Sequence, residues 1–208
     1  MDRAAEKQLV EKSRKDPEAF AELFGEYYPK ILRYNLHRTA NAEAARDITS
    51  EVFFKALKNL WQFRWIGASF SSWLYKIASN EVNQYFRKKK YEPISLEQAI
   101  EENNMPELAS LGDIEKEIAE AQAAIDNNRN YAAIKGALLA LPKKYQEVLA
   151  LRFLEQKKIV EICEILGKKE GTVKSLLSRG VEMLRKKIEA GGMQPSESMR
   201  IIKDRKEV

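Results

Sequence analysis

A chain of 208 residues that is 44% hydrophobic and 32% charged can bury one or two modest cores, which excludes wholesale disorder. One cysteine and one histidine exclude a disulfide framework and a clustered metal site, so neither metal nor cofactor is expected, and a reducing cytoplasm is the expected compartment. The net charge of +5 favours a polyanionic partner.

The amino-terminal stretch "MDRAAEKQLVEKSRKD" is too charged for a signal peptide, and no run approaches the eighteen or so apolar residues of a membrane span. Charge is also segmental. Residues 1–90 carry 17 Lys+Arg against 11 Asp+Glu, residues 91–130 carry 2 against 10, and residues 131–208 carry 17 against 10. Two basic modules therefore flank an acidic connector. The expected fold is all-α, with small helical domains at 1–90 and 131–190, a flexible acidic linker at 91–130 and a loose tail at 191–208.

"DPEAFAELFGEYYPKILRYNL" opens with Asp16 as N-cap and Pro17 at the first helical position. Phe20, Leu23, Phe24, Tyr27 and Ile31 then share one face, and His37 falls at the surface or a helix end. "NAEAARDITSEVFFKALKNLW" restarts at Asn41 and runs Ile48, Val52, Phe53, Leu57 and Leu60 along its apolar stripe. Phe53 continues that stripe and is expected in the core, whereas Phe54 leaves it and is expected to be free for a partner. The loop "QFRWIGAS" precedes a third helix, "FSSWLYKIASNEVNQYFRKKK", which ends in a basic tail.

All three tryptophans lie between Trp61 and Phe86, interleaved with Arg64, Lys76 and Arg87. Rings among cations suit single-stranded nucleic acid, because bases stack on the rings while the cations hold the backbone. Phe70, Trp73, Leu74, Ile77 and Tyr85 share a helical face and are expected to be core. Phe63 and Trp65 in the loop, with Asn80, Asn83, Gln84 and Arg87 on the polar face, are the better binding candidates.

The connector holds two prolines and acidic runs, with a short helix expected around residues 114–125. The second module begins near Tyr131, breaks at Pro142, and continues through "KKYQEVLALRFL" to Ile159, Ile162, Cys163 and Leu166 at helical spacing. Cys163 on that apolar face reads as a small hydrophobe. "LGKK" supplies a helix-stopping glycine, and Val173, Leu177, Val181, Leu184 and Ile188 line the next helix. Lys174, Ser175, Ser178, Arg179, Glu182 and Arg185 occupy its other face. Two short helices about a tight glycine turn form a helix-turn-helix, whose second helix offers small polar and cationic groups to a major groove.

Three stretches together resemble the sigma-70 family of RNA polymerase sigma factors, of the compact extracytoplasmic-function (ECF) type. "DITSEVFFKALKNL" resembles the family's clamp-binding helix, "SFSSWLYKIASNEVNQYFRKKK" its promoter-melting and −10-reading helix, and "ALLALPKKYQEVLALRFLEQKKIVEICEILGKKEGTVKSLLSRGVEMLRK" its −35-reading domain. The resemblance implies a non-enzymatic initiation factor that binds core RNA polymerase and promoter DNA, duplex at −35 and melted at −10, with an anti-sigma factor as an optional partner. It implies polymerase contacts at Asp47, Glu51, Phe54 and Lys55. It places −10 contacts at Phe63, Arg64, Trp65, Phe70, Ser71, Asn80, Asn83, Gln84 and Arg87, and −35 contacts at Lys169, Thr172, Lys174, Ser175, Ser178 and Arg179. Leu176 departs from the pattern, standing where many relatives carry a basic residue. The rival reading is a stand-alone LuxR-type regulator, which shares "EGTVK" but needs an α/β receiver that residues 1–90 do not suggest.

Overall fold

The computed structural model describes residues 3–65, 69–91 and 129–190. The expected acidic linker, its short helix and the tail from residue 191 lie outside the described residues, as do loop residues 66–68. The described residues are helical, with no strand among them.

Helix α1 (Arg3–Ser13) buries Val10 and Glu6 against the helices that follow. Helix α2 (Pro17–Thr39) starts as expected, with the Asp16 side chain accepting from the Glu18 N–H at 3.0 Å. Helix α3 (Ala42–Asn59) is capped by Asn41, which accepts from the Ala44 N–H at 2.7 Å. It lies between α2 and α4 (Phe70–Tyr91), to which a short 3-10 turn at Leu60–Gln62 leads. At the start of α4 the Ser69 hydroxyl caps the helix by accepting from the Ser72 N–H at 3.0 Å. Leu23, Ile31, Val52 and Leu74 are fully buried between these helices. Each such side chain stabilises the fold by about 1.5–3 kcal/mol relative to exposure.

The second module comprises α5 (Arg129–Leu139), α6 (Lys143–Leu149), a wide π turn at Ala150–Leu154, α7 (Ile159–Leu166) and α8 (Glu170–Ala190). Pro142 breaks the chain between α5 and α6. Gln146 repairs the break, its amide nitrogen donating to the carbonyls of Leu139 at 2.6 Å and Leu141 at 2.7 Å. Gly167 ends α7 at φ +61, a left-handed turn that a side chain would strain. Gly180 has a different purpose: a Cβ there would sit 3.2 Å from Leu149, so its absence lets α8 close on α6. Val173, Leu184 and Ile188 are buried beneath α8, with Leu177 and Val181 partly so.

Some expectations need correction. Leu57 does not join the α3 stripe but is 48% exposed, because the helix has turned that residue away from α2 and α4. Phe24 is also exposed in part, lying on the rings of Tyr28 and Phe53 at 4.8 Å from each. His37 is in the last turn of α2 as expected, yet buried rather than at the surface. Trp73, Ile77 and Tyr85 are only half-buried, while Phe70 and Leu74 are core. Phe53 is buried and Phe54 is 61% exposed, the division that their positions on the helix predict.

Candidate nucleic-acid interface

The helix-turn-helix is assembled by local chemistry. At the start of α7 the Glu161 carboxylate accepts from the Lys158 N–H at 2.8 Å, and Gly167 then turns the chain into α8. The apolar face of α8 is pinned by Val173, so Lys169, Thr172, Lys174, Ser175, Ser178 and Arg179 all project into solvent. Lys174 is held by Glu170 one turn earlier at 2.6 Å. The hydrogen bond that Lys174 donates to that carboxylate raises its pKa, so the ammonium is charged at every physiological pH. Cys163 on α7 is partly buried, and desolvation raises its thiol pKa, which suits packing rather than reactivity.

The aromatic loop is arranged differently. Phe63 is 3% exposed and Phe70 fully buried, their rings 5.6 Å apart, so neither presents a face to a base. Phe63 instead supports Trp65, 5.0 Å away edge-on, and Trp73, 5.2 Å away. Sequence spacing could not reveal this, since Phe63 lies outside any helix and its burial depends on rings brought in by α4. Arg14, just after α1, holds the loop by donating to the Phe63 carbonyl. Trp65 is half-buried, and its indole N–H is buried without a partner among the described residues.

On α4 the polar candidates divide into two stripes. Asn80 and Arg87 are exposed and Gln84 is partly exposed. Ser71 and Asn83 face the second module: Lys157 Nζ donates to the Ser71 hydroxyl at 2.8 Å, and the Asn83 amide donates to Glu147 at 2.9 Å.

A further surface runs along α3. Asp47, Glu51 and Phe54 are exposed at helical spacing, and the same ridge continues through Leu57 to Trp61, which is 66% exposed. Sequence reasoning missed Leu57 and Trp61 as surface groups, although Trp61 stands two turns beyond Phe54. Lys55 is turned aside to bridge Glu51 at 3.1 Å and Glu81 of α4 at 2.7 Å. Both carboxylates raise its pKa, Glu81 the more strongly. Lys55 therefore ties α3 to α4.

Comparison with known proteins places this architecture. Residues 23–91 match sigma-70 region 2, and residues 131–184 match sigma-70 region 4. The ECF RNA polymerase sigma factor SigW of Bacillus subtilis is 32% identical over 189 residues, a match covering 90% of this chain and 98% of SigW. The chain belongs to the ECF sigma factors of the sigma-70 family. This ECF sigma factor is also 29% identical to BldN of Streptomyces coelicolor over 184 residues, covering 88% of the chain and 66% of BldN. Its fold resembles that of CnrH, solved in complex with the cytosolic domain of CnrY, at a TM-score of 0.64 and 16% identity over 89% of this chain and 98% of that one. It resembles RpoE of Bartonella quintana, solved with the anti-sigma factor NepR, at 0.57 and 18% over 82% and 96%.

The sigma factor is thus a transcription initiation factor, a class that works as a subunit with core RNA polymerase and promoter DNA. A LuxR-type regulator is set aside, because region 2 occupies the place where a receiver would stand. No helix among the described residues is long and apolar enough to cross a membrane.

Proposed function

We propose that the α3 ridge docks on core polymerase, that the Trp65 loop and the polar face of α4 hold the melted −10 strand, and that the start of α8 enters the −35 major groove. One observation carries this reading. Phe54 and Leu57 stand exposed on α3, whose opposite face is core, with Trp61 exposed in the 3-10 turn that follows and Asp47 and Glu51 at the rim, and an aromatic anchor ringed by charge is the make-up of a binding hot spot. Leu57 and Trp61 extend the contact set that sequence alone supplies, whereas Lys55 acts by holding the ridge against α4.

On the −10 side, Trp65, Arg64 and Asn80 are the exposed or half-exposed groups available to an unstacked base, with the Phe63 ring packed edge-on behind Trp65. Gln84 and Arg87 continue the same stripe toward the basic end of α4, where the backbone of the strand would run. On the −35 side, Lys174, Ser175, Ser178 and Arg179 reach base edges while Lys169 and Thr172 meet phosphates at the helix N-terminus. The factor acts without catalysing a reaction of its own, in the bacterial cytoplasm, and an anti-sigma factor of the kind bound to its structural neighbours is a fitting regulator. Co-purification with core polymerase tests the ridge directly: the Phe54→Ala and Trp61→Ala proteins should fold yet fail to be retained.

A further inference from the structure

Helix α1 lies ahead of residue 23, where the match to sigma-70 region 2 begins. Val10, fully buried, and Leu9, partly so, seat it on α2. Two polar side chains reach further, one to each side of residues 66–68. Arg14, just after α1, donates to the Phe63 carbonyl. Glu6, 5% exposed, accepts from the Ser71 N–H at 3.3 Å. The partners lie 49 and 65 residues along the chain, so no local pattern produces either bond.

Each arm is braced before it reaches the loop. Arg14 Nη1 donates to both carboxylate oxygens of Glu11, at 2.9 and 2.8 Å, which aims Nη2 at Phe63. The planar guanidinium makes this possible, since its donors are fixed relative to one another. Glu6 also accepts from the Tyr27 hydroxyl of α2, and burial raises the pKa of that hydroxyl, so it remains a donor at physiological pH. Ser71 stands in the first turn of α4, where N–H groups have no partner within the helix and the helix dipole favours a carboxylate. Ser69 Oγ accepts from the neighbouring Ser72 N–H, so Ser69 and Glu6 hold the first turn together.

Both long-range bonds end on the main chain of the loop or its exit. The two other buried glutamates among the described residues differ in this respect. Glu147 accepts from the side chains of Ser79 and Asn83, and Glu155 from those of Arg33, at 2.9 Å, and Tyr75, at 2.7 Å. A bond to a side chain joins two elements, whereas a bond to a carbonyl or an N–H fixes the path of the backbone itself. Here that path leads into and out of the segment carrying Arg64 and Trp65. Ordering a loop on binding subtracts from affinity, and a loop fixed beforehand avoids that loss.

We infer that α1 is the positioning element of the −10-reading loop, with Arg14 and Glu6 holding its two ends so that Arg64 and Trp65 meet the melted strand already in place. The functional half of this inference rests on the assignment of the loop to the −10 strand, whereas the holding of the loop does not. Neither Arg14 nor Glu6 touches DNA in this role.

The test uses the full chain. Backbone hydrogen exchange in segments 60–65 and 69–74 is followed in the free protein. Binding of a labelled single-stranded −10 oligonucleotide, from a promoter mapped by transcript ends, is measured with polymerase reconstituted from core enzyme and each variant. Arg14→Ala should speed exchange around Phe63 and weaken oligonucleotide binding about tenfold, with retention on core polymerase and duplex −35 binding unchanged. Arg14→Lys keeps a donor for the Phe63 carbonyl and should recover most of the affinity. Glu6→Ala should speed exchange around Ser71 and weaken binding alike, whereas Glu6→Gln keeps an acceptor oxygen and should stay near wild type. Arg14 is the less buried of the two, so its variants carry the test if Glu6→Ala does not fold. Unchanged exchange in folded Arg14→Ala overturns the holding of the loop. Faster exchange with unchanged affinity, while Trp65→Ala weakens binding, overturns positioning. If Trp65→Ala also leaves affinity unchanged, the −10 assignment of the loop fails instead, and the functional half of the inference falls with it.

Discussion

On α8, Lys174, Ser175, Ser178 and Arg179 stand in solvent, and Lys174 is held by Glu170 of its own helix. On α4, Ser71 and Asn83 are already bonded to Lys157 and Glu147 of the other module. Both helices carry polar faces over apolar ones, so periodicity treats them alike. What separates them is long-range pairing, which leaves the polar face of α8 in solvent and ties part of the polar face of α4 to the other module.

The largest effects should come from breaking the supports of the two faces. Val173→Asp places an unpaired carboxylate in the fully buried seat beneath α8, a change that costs about 3–5 kcal/mol. Thermal denaturation should show the second module unfolded while the first persists. Phe53→Ala should likewise destabilise the first module, by about 3–5 kcal/mol. Its neighbour Phe54→Ala should leave stability nearly intact and weaken polymerase binding by about 2 kcal/mol or more, as measured by fluorescence anisotropy with labelled protein.

Effects on the faces themselves should be smaller and should separate by DNA type. Arg179→Ala or Lys174→Ala should weaken binding to duplex −35 DNA about 5- to 100-fold, with melting temperature unchanged. Trp65→Ala should reduce permanganate reactivity at −10 by about tenfold without altering −35 binding. The smallest change is expected for Asn80→Ala, about fivefold in single-strand affinity, the value of one hydrogen bond. If Asn80→Ala and Arg179→Ala impaired the same DNA form equally, the division of labour between the faces would fail.

The helices, their caps and the Gly167 turn were legible because each depends on residues within one turn of one another. The same is true of the division between Phe53 and Phe54, which a 100° step decides. Phe63 was read as a base contact because rings among cations look alike whether buried or exposed, whereas Phe70, core by its helical spacing, entered the −10 set only through the family resemblance. Only the approach of α4 puts them inside. Glu147 and Glu155 left still less trace, since their donors lie 64 to 122 residues away in the chain. An acid beside the buried Val148 and Leu149 is the one local hint of Glu147.

The central claim is that this chain initiates transcription as a polymerase subunit. The most direct measurement is run-off transcription with purified core polymerase and a promoter mapped after overproduction of the factor. A promoter-specific transcript should form with the wild-type chain and fall to background with Phe54→Ala. Failure to bind core polymerase, together with tight and specific binding of the chain alone to the duplex promoter, would contradict it.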